Sequence, residues 1–306
     1  MTIPYAVDYA GSSFTSAAVI GYAPVSQAWM LINKQEYLFT FRNQAVGGHN
    51  TWSNLVRLTT GADLFIIDHA NDSKDLDYAS MEALIRVLWA TKPSAKIIMV
   101  SSPSWNGIDI DVDDNVNHPG NETQLALYEA FAAYYGIPWV DYWGWCKTVV
   151  NAGTYHLNQL TDDTVHPNAL GYSNMAILLE NYLPTGGASC PSLPARLYDD
   201  GSYENTPTRT VGTGYDSKTG TWSESGTQIA STEAGATVTF SATCKSYGLY
   251  RADGTGNPSL EVSVDGGAFA ALAVNQNGIA LASRTVHTFI FKVISGSVEI
   301  DEFWTV

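Results

Sequence analysis

The sequence predicts an α/β protein: a three-layer α/β/α sandwich on a parallel, flavodoxin-like sheet, followed by an all-β jelly-roll domain. Apolar runs alternate with helical patterns over residues 1–185, and a loop-forming stretch follows. The remaining sequence alternates apolar and polar residues with a period of two. Alternating strands and helices favour a parallel sheet with right-handed crossovers, whereas period-two patterns favour antiparallel strands.

Five short apolar runs predict the strands of the first domain. They are nearly continuous rather than alternating, as expected for strands buried on both faces. The runs are Pro4–Tyr9, Tyr37–Phe41, Ala62–Ile67, Lys96–Val100 and Pro138–Tyr142. Ligands of such sheets bind at the carboxyl ends of the strands, which is where the loop Gly11-Ser12-Ser13 is expected.

Apolar residues at helical spacing predict helices between these strands. The first set is Met81, Leu84, Ile85, Leu88 and Trp89, and the second is Leu127, Tyr128, Phe131 and Tyr135. A last helix, residues 168–182, is predicted to begin just after Pro167, since proline is favoured in the first turn.

A change in composition and in hydrophobic pattern along the chain predicts two domains. Residues 186–195, rich in Pro, Gly and Ser, are expected to link a first domain, 1–185, to a second, 196–306. In the second, Ala236, Val238 and Phe240 alternate with polar residues, as do Leu260, Val262, Val264, Phe289, Phe291, Val293, Val298 and Ile300. The triplet Asp265–Gly267 predicts a hairpin turn.

Charge and composition limit the possible partners. The chain has 306 residues and a net charge of −15, so a nucleic-acid partner is not expected. No apolar run is long enough to predict a membrane span, and the N-terminus shows no signal-peptide pattern. An extracellular or cell-surface site of action is suspected. Cys190 and Cys244 form a disulfide there or are ordinary thiols, and both interpretations stay open.

A serine hydroxyl needs a neighbouring base, usually a histidine oriented by a carboxylate. The segment DDTVHPNALGY offers Asp163 and His166, three residues apart at the entry to a helix, and this spacing places both side chains on one side. Asp162 is the competing acid, ranked lower as a turn or capping residue. Acyl transfer also needs oxyanion donors, for which the glycines of NQAVGG and the side chain of Asn71 are candidates.

Four segments in this order resemble the SGNH or GDSL-type hydrolases. They are Gly11-Ser12-Ser13-Phe14-Thr15, Asn43-Gln44-Ala45-Val46-Gly47-Gly48, His69-Ala70-Asn71-Asp72 and Asp163-Thr164-Val165-His166. Ser12 stands where the family usually has Asp, and His69 stands where a small residue is usual. The resemblance covers about 60% of the chain.

The resemblance implies a role for each site residue. Ser13 would be the nucleophile, His166 the base and Asp163 its orienter. The backbone N–H groups of Ser13 and Gly48, with Gly47 as the fallback, and the Asn71 side chain would bind the oxyanion. No metal or organic cofactor is implied. The substrates usual in this family and the appended β-sandwich favour an acetylated poly- or oligosaccharide as substrate. The sequence leaves the oligomeric state open.

Other interpretations remain. Asp109, Asp111 and Asp113 are spaced as in a calcium loop, but a glycine and an acid expected there are missing, which favours a solvated loop. Trp105 and His118 are candidates for the substrate pocket. The aromatic residues of the second domain could stack on sugar rings or be packing residues: Tyr203, Tyr215, Trp222, Tyr247 and Tyr250. The alternative functions are a lipid-directed esterase, lysophospholipase or thioesterase, and a catalytically inactive glycan-binding protein.

Overall fold

The structure is a computed structural model, and the chain divides into two compact units, Met1–Leu197 and Tyr198–Val306. The residues that it describes are 2–11, 15, 21–45, 51, 55–56, 59–68, 77–101, 119–162, 166–198, 208–251, 258–272 and 279–306.

The first unit is built on a five-stranded parallel sheet. Its strands are β1 (Ile3–Gly11), β2 (Tyr37–Asn43), β3 (Leu64–Asp68), β4 (Lys96–Val100) and β5 (Trp139–Val140), in the order β2-β1-β3-β4-β5. The predicted flavodoxin-like sheet is therefore confirmed. Every residue of β3 is buried, because helices cover both of its faces, and this explains why the sequence shows a continuous apolar run there.

Helices lie on both sides of this sheet. They are α1 (Tyr22–Asn33), α2 (Asp77–Thr91), α3 (Pro119–Tyr135), α4 (Tyr142–Asn151) and α5 (Ala169–Glu180). Helix α1 packs against β1, where the hydroxyls of Tyr9 and Ser26 are 2.7 Å apart, and it also packs against α5. Helices α2 and α3 contact each other through Tyr78 and Tyr128. Since right-handed crossovers in opposite directions place their helices on opposite faces, the predicted three layers are present.

Two helices were not expected from the sequence, and one of them shortens a predicted strand. The run Pro138–Tyr142 is a strand only over Trp139–Val140, and α4 begins at Tyr142. Asp141 is the physical cause, since its carboxylate accepts a hydrogen bond from the Gly144 amide at 2.8 Å and so caps the helix. Helix α1 has no side-chain cap to mark its start at Gly21.

The stretch that precedes the second unit packs on the first. Ala188 pairs with Ile97 in β4 through two backbone hydrogen bonds. Farther along, Arg86 of α2 donates to the carbonyl oxygen of Pro194 at 2.8 Å, and the Leu197 amide donates to the buried carboxylate of Glu82 at 2.7 Å. The Pro, Gly and Ser texture of residues 186–195 therefore marks a docked segment of the first unit.

The second unit is antiparallel throughout its described strands. These are β6 (Thr208–Val211), β7 (Ser217–Thr219), β8 (Ser223–Ser225), β9 (Gln228–Ser231), β10 (Thr237–Arg251), β11 (Ser259–Val264), β12 (Ala270–Leu272), β13 (Ile279–Ser295) and β14 (Val298–Thr305). The long strand β10 pairs with β13 from Thr237 to Tyr247, with β7 from Thr237 to Thr239, and with β14 from Tyr247 to Arg251. This sharing of one strand between neighbours is consistent with a two-layer β-sandwich, as predicted.

One aromatic core fills the second unit. Phe240 and Phe303 stack with ring centroids 4.9 Å apart, and Phe289 lies 5.0 Å from Phe303. Trp222 and Tyr247 belong to the same core, so the structure assigns these two aromatic residues to packing.

All three cysteines of the chain are free thiols: Cys146 and Cys244 are buried, and the Cys190 thiol donates to the carbonyl oxygen of Ser192 at 3.1 Å.

Candidate active site

The described part of the candidate site lies at the carboxyl edge of the parallel sheet. Strands β1, β2 and β3 end there at Gly11, Asn43 and Asp68, and α5 begins there at Ala169, three positions after His166. Of the residues given a catalytic role from the sequence, only His166 is among those that the structure describes. Ser13, Gly48, Asn71 and Asp163 lie outside the described residues, as do the fallback Gly47, Ser12, His69, Trp105, His118 and the acidic residues 109–113.

The residues that flank positions 12–14 are fixed to the sheet edge. Gly11 pairs with Asp68 in the β1–β3 register, and Thr15 is fully buried. The Thr15 hydroxyl lies 3.0 Å from the Tyr22 hydroxyl and donates to the Asp68 carboxylate at 3.5 Å. Burial raises the pKa of Tyr22 well above its ordinary value, and the Asp68 charge raises it further, so the phenol stays protonated.

Glycine is required at position 11 because other atoms occupy the space beside it. A Cβ atom built there would lie 2.3 Å from the Thr15 hydroxyl oxygen and 2.6 Å from the carbonyl oxygen of Asp68. Both distances are shorter than van der Waals contact, and one involves backbone that cannot rotate away. The strand can therefore turn into the loop beside β3 only without a side chain at this position.

At the end of β2, three consecutive side chains form hydrogen bonds with other segments of the first unit. Arg42 donates to both carboxylate oxygens of Asp8, at 2.6 and 2.7 Å, and Gln44 donates to Asp8 at 2.7 Å. Between them, Asn43 donates to the carbonyl oxygen of Thr15 at 2.7 Å. Burial raises the pKa of Asp8, while the hydrogen bond and charge of Arg42 and the hydrogen bond from Gln44 lower it.

His166 lies in a short segment that is fastened at both of its ends to neighbouring backbone. Thr161 forms a β-bridge with Pro167, and its hydroxyl donates to the carbonyl oxygen of His166 at 2.7 Å. Asn168 caps α5 by accepting from the Leu170 and Gly171 amides. The His166 side chain is half-buried. These contacts hold the histidine backbone at the start of α5, at the carboxyl edge of the sheet.

Asp162, the competing acid, has a described partner. Its carboxylate accepts a hydrogen bond from the side-chain amide of Asn168 at 3.1 Å, and the same amide donates to the carbonyl oxygen of Gln159 at 3.1 Å. Asp162 is exposed and takes part in the turn before α5.

Asn43, Thr15 and Asp68 make contacts that the sequence pattern does not mark, although the first two stand inside matched motifs. Their contacts join residues that are distant along the chain, which no spacing pattern records.

Among the described residues, no group of three His, Cys, Asp or Glu side chains is arranged to hold a metal ion. No described helix is long and apolar enough to cross a membrane.

Comparison with known proteins gives a match over the whole chain in structure but not in sequence. No family model matches, and no curated protein matches. A solved structure of a two-domain esterase (CEX) active on acetylated mannans superposes with a TM-score of 0.81 at 18% identity, covering 99% of this chain and 91% of that one. The same esterase co-crystallised with mannopentaose gives a TM-score of 0.78 at 18% identity, covering 99% and 90%. This chain has the fold of that two-domain esterase.

A second kind of structural relative matches part of the chain. A putative GDSL-like lipase from Parabacteroides merdae ATCC 43184 matches 59% of this chain and 96% of its own length, with a TM-score of 0.50 and 13% identity. The fold expected from the SGNH resemblance is thus confirmed, with its second domain.

Proposed function

We propose that the chain is a serine esterase that removes O-acetyl groups from a carbohydrate. One observation carries this proposal: the likeness to an esterase described as active on acetylated mannans extends over 99% of the chain, through both units. The order of the four motifs along the sequence supports the proposal. The contacts at the carboxyl edge of the sheet support it as well, because they fix the chain on either side of the nucleophile position and directly after the histidine.

The proposed reaction is a two-step acyl transfer. The Ser13 hydroxyl attacks the ester carbonyl while His166 takes its proton, and Asp163 orients the imidazole. The oxyanion accepts hydrogen bonds from the backbone N–H groups of Ser13 and Gly48 and from the Asn71 side chain. The bond between the acyl carbon and the sugar oxygen breaks, and His166 gives the proton to that oxygen, which leaves as a sugar hydroxyl. Water then attacks the acyl-enzyme in the same way, and acetate leaves.

Acetate release tests the proposal directly. The purified full chain is incubated with a panel of acetylated polysaccharides, including mannan and xylan, and acetate is measured. We expect release from at least one polysaccharide, and a fall of at least 10³-fold in kcat for Ser13→Ala. The neighbouring variant Ser12→Ala is the matched control and should keep a serine that reacts with a fluorophosphonate probe. Undiminished turnover in Ser13→Ala would overturn the nucleophile assignment.

A lipid-directed esterase is the second candidate, since 59% of the chain also matches a putative GDSL-like lipase. A series of p-nitrophenyl esters of increasing chain length separates the two candidates. Highest kcat/KM at acetate supports the carbohydrate acetylesterase. An optimum at eight carbons or longer, about the length that fills an extended apolar groove, would favour a lipid substrate instead.

A further inference from the structure

We propose that Asn43 is a positioning residue of the catalytic site, and that its side chain sets the distance between the loop of Ser13 and the loop of Gly48. The inference rests on the proposed function and adds to it a residue to which neither the motifs nor the comparisons give a role. Asn43 is the last residue of β2, directly before the loop that contains Gly48.

Both the nitrogen and the oxygen of the Asn43 side-chain amide form hydrogen bonds, each with a different segment of the chain. Its amide nitrogen donates to the carbonyl oxygen of Thr15 at 2.7 Å, two positions beyond the proposed nucleophile. Its amide oxygen accepts from the backbone N–H of Ala45 at 3.1 Å, three positions before Gly48. Only a side chain that carries both a donor and an acceptor, such as Asn, can join these two backbone groups.

The neighbouring side chains make this link a rigid one. Gln44 accepts from both the backbone N–H and the hydroxyl of Thr59, at 2.8 and 3.1 Å, and so joins two positions that are 15 residues apart, on either side of Gly48. The other end of the Gln44 amide is held by Asp8, which is fully buried and paired with Arg42. The start of the Gly48 loop is therefore anchored to β1 on one side and to Thr15 on the other.

Thr15, which Asn43 contacts, is itself fixed by buried groups. It lies between the hydroxyl of Tyr22 and the carboxylate of Asp68 and is 0% exposed. Asn43 thus connects two anchored segments rather than two mobile ones. Since a displacement of about 1 Å between nucleophile and oxyanion donor can cost about a hundredfold in rate, a link of this kind acts on kcat more than on substrate affinity.

The test compares two substitutions that remove the link in different ways. Asn43→Asp keeps the acceptor for Ala45 but loses the donor to Thr15, and Asn43→Leu keeps the size of the side chain and loses both. Asn33→Asp is the matched control, because Asn33 is an exposed residue of α1 whose amide also donates to a backbone carbonyl oxygen, that of Trp29, at 2.9 Å. Active sites are counted with a fluorophosphonate probe, and kcat and KM for p-nitrophenyl acetate are measured per counted site.

We expect kcat per counted site to fall about tenfold to a hundredfold in both Asn43 variants, with KM changed less than about threefold and with Asn33→Asp equal to wild type. Wild-type kcat per counted site, even with fewer sites or a lower melting temperature, would mean a structural role and overturn the inference. A loss in Asn43→Asp alone would assign the effect to the added charge and also overturn it. A wild-type chain that neither reacts with the probe nor cleaves the ester would instead reject the proposed function, and the inference with it.

Discussion

Asp8 is a carboxylate that folding removes completely from water, and its environment shows how a single side chain constrains the candidate site. The surrounding strand is apolar, so the charge is stabilised mainly by Arg42 and Gln44. A buried charge that loses its partner is costly, typically by about 3–5 kcal/mol. Burying the Asp8 carboxylate therefore has a free-energy cost that only the intact set of contacts offsets. The same contacts hold the end of β2 in place.

Arg42→Met tests this dependence. We expect a loss of about 2 kcal/mol in the free energy of unfolding at neutral pH, less than for a fully enclosed pair because the Arg42 side chain is 39% exposed. Without Arg42 the pKa of Asp8 rises further, so the folded variant takes up a proton as the pH falls and its deficit shrinks. Urea unfolding at about pH 5 and about pH 8 measures both effects.

Lys92→Met is the matched control for that experiment. Lys92 and Asp63 also form an ion pair, at 2.5 Å, but both side chains are about 30% exposed. Pairs of this kind are worth about 0–1 kcal/mol. An Arg42→Met variant that loses no more stability than Lys92→Met, or whose deficit does not depend on pH, would contradict the account of Asp8.

Helix α5 approaches the His166 segment so closely that it has no room for a side chain at Gly171. A Cβ atom there would lie 2.4 Å from the carbonyl oxygen of Leu160 and 2.9 Å from both Pro167 and the Tyr142 hydroxyl. Alanine favours a helix over glycine by about 1 kcal/mol, whereas overpacking typically costs about 1–3 kcal/mol. The clash should therefore prevail and move the segment that carries the histidine.

Gly171→Ala is accordingly expected to lower kcat for p-nitrophenyl acetate about tenfold or more while the protein remains folded. Ser173→Ala is the control on the same helix, since the Ser173 hydroxyl donates to the carbonyl oxygen of Ala169 in the preceding turn. Circular dichroism verifies the fold of both variants. Equal kcat in Gly171→Ala and wild type would show that the close approach does not position the histidine.

In the second unit, His287 joins β13 to the turn after β11. Its Nδ1 lies 2.6 Å from the Asp265 carboxylate, and its Nε2 lies 3.1 Å from the carbonyl oxygen of Ser283. Both ring nitrogens thus face acceptors, which the protonated imidazole satisfies best. The hydrogen bond to Asp265 raises the pKa of His287, and the backbone N–H of Thr288 and the His287 ring lower the pKa of Asp265.

These shifts give a pH dependence of definite sign. A raised histidine pKa stabilises the fold below the unfolded value, about 6.5, and this contribution is lost as the pH rises through the folded pKa. The lowered pKa of Asp265 adds stability that is lost only in strong acid. The wild-type melting temperature should fall between about pH 6 and about pH 8, and His287→Asn should fall less. Parallel curves for the two proteins would contradict this.

Individual strands are predictable from the sequence because their apolar pattern agrees with their burial in the folded sheet. The run at residues 96–100 is apolar in sequence, and four of its five residues are buried in β4. Helix α4 was missed because its cap, Asp141, also follows an apolar run, and only the contact with the Gly144 amide decides that the chain leaves the sheet there. Local patterns thus identify elements better than the points at which they end.

Contacts between distant parts of the chain explain what the sequence did not predict. Glu82 and Arg86 are charged residues of α2, yet both are buried and hold the segment before the second unit. Likewise the motifs predict which segments contribute to the candidate site, while the link from Asn43 to Thr15 joins positions 28 residues apart. A pattern read along the chain does not contain these pairings, because they exist only after folding.

The chain combines two units, and 99% of it matches the fold of a two-domain esterase described as active on acetylated mannans. This likeness, at 18% identity, establishes the architecture. The central claim is that Ser13 is the attacking group.

Mass spectrometry of the chain after reaction with a fluorophosphonate probe tests that claim most directly. We predict one adduct per chain, mapped by peptide analysis to Ser13 and missing from Ser13→Ala. An adduct on a different residue, or ester hydrolysis that continues in a chain whose Ser13 is unmodified, would contradict it.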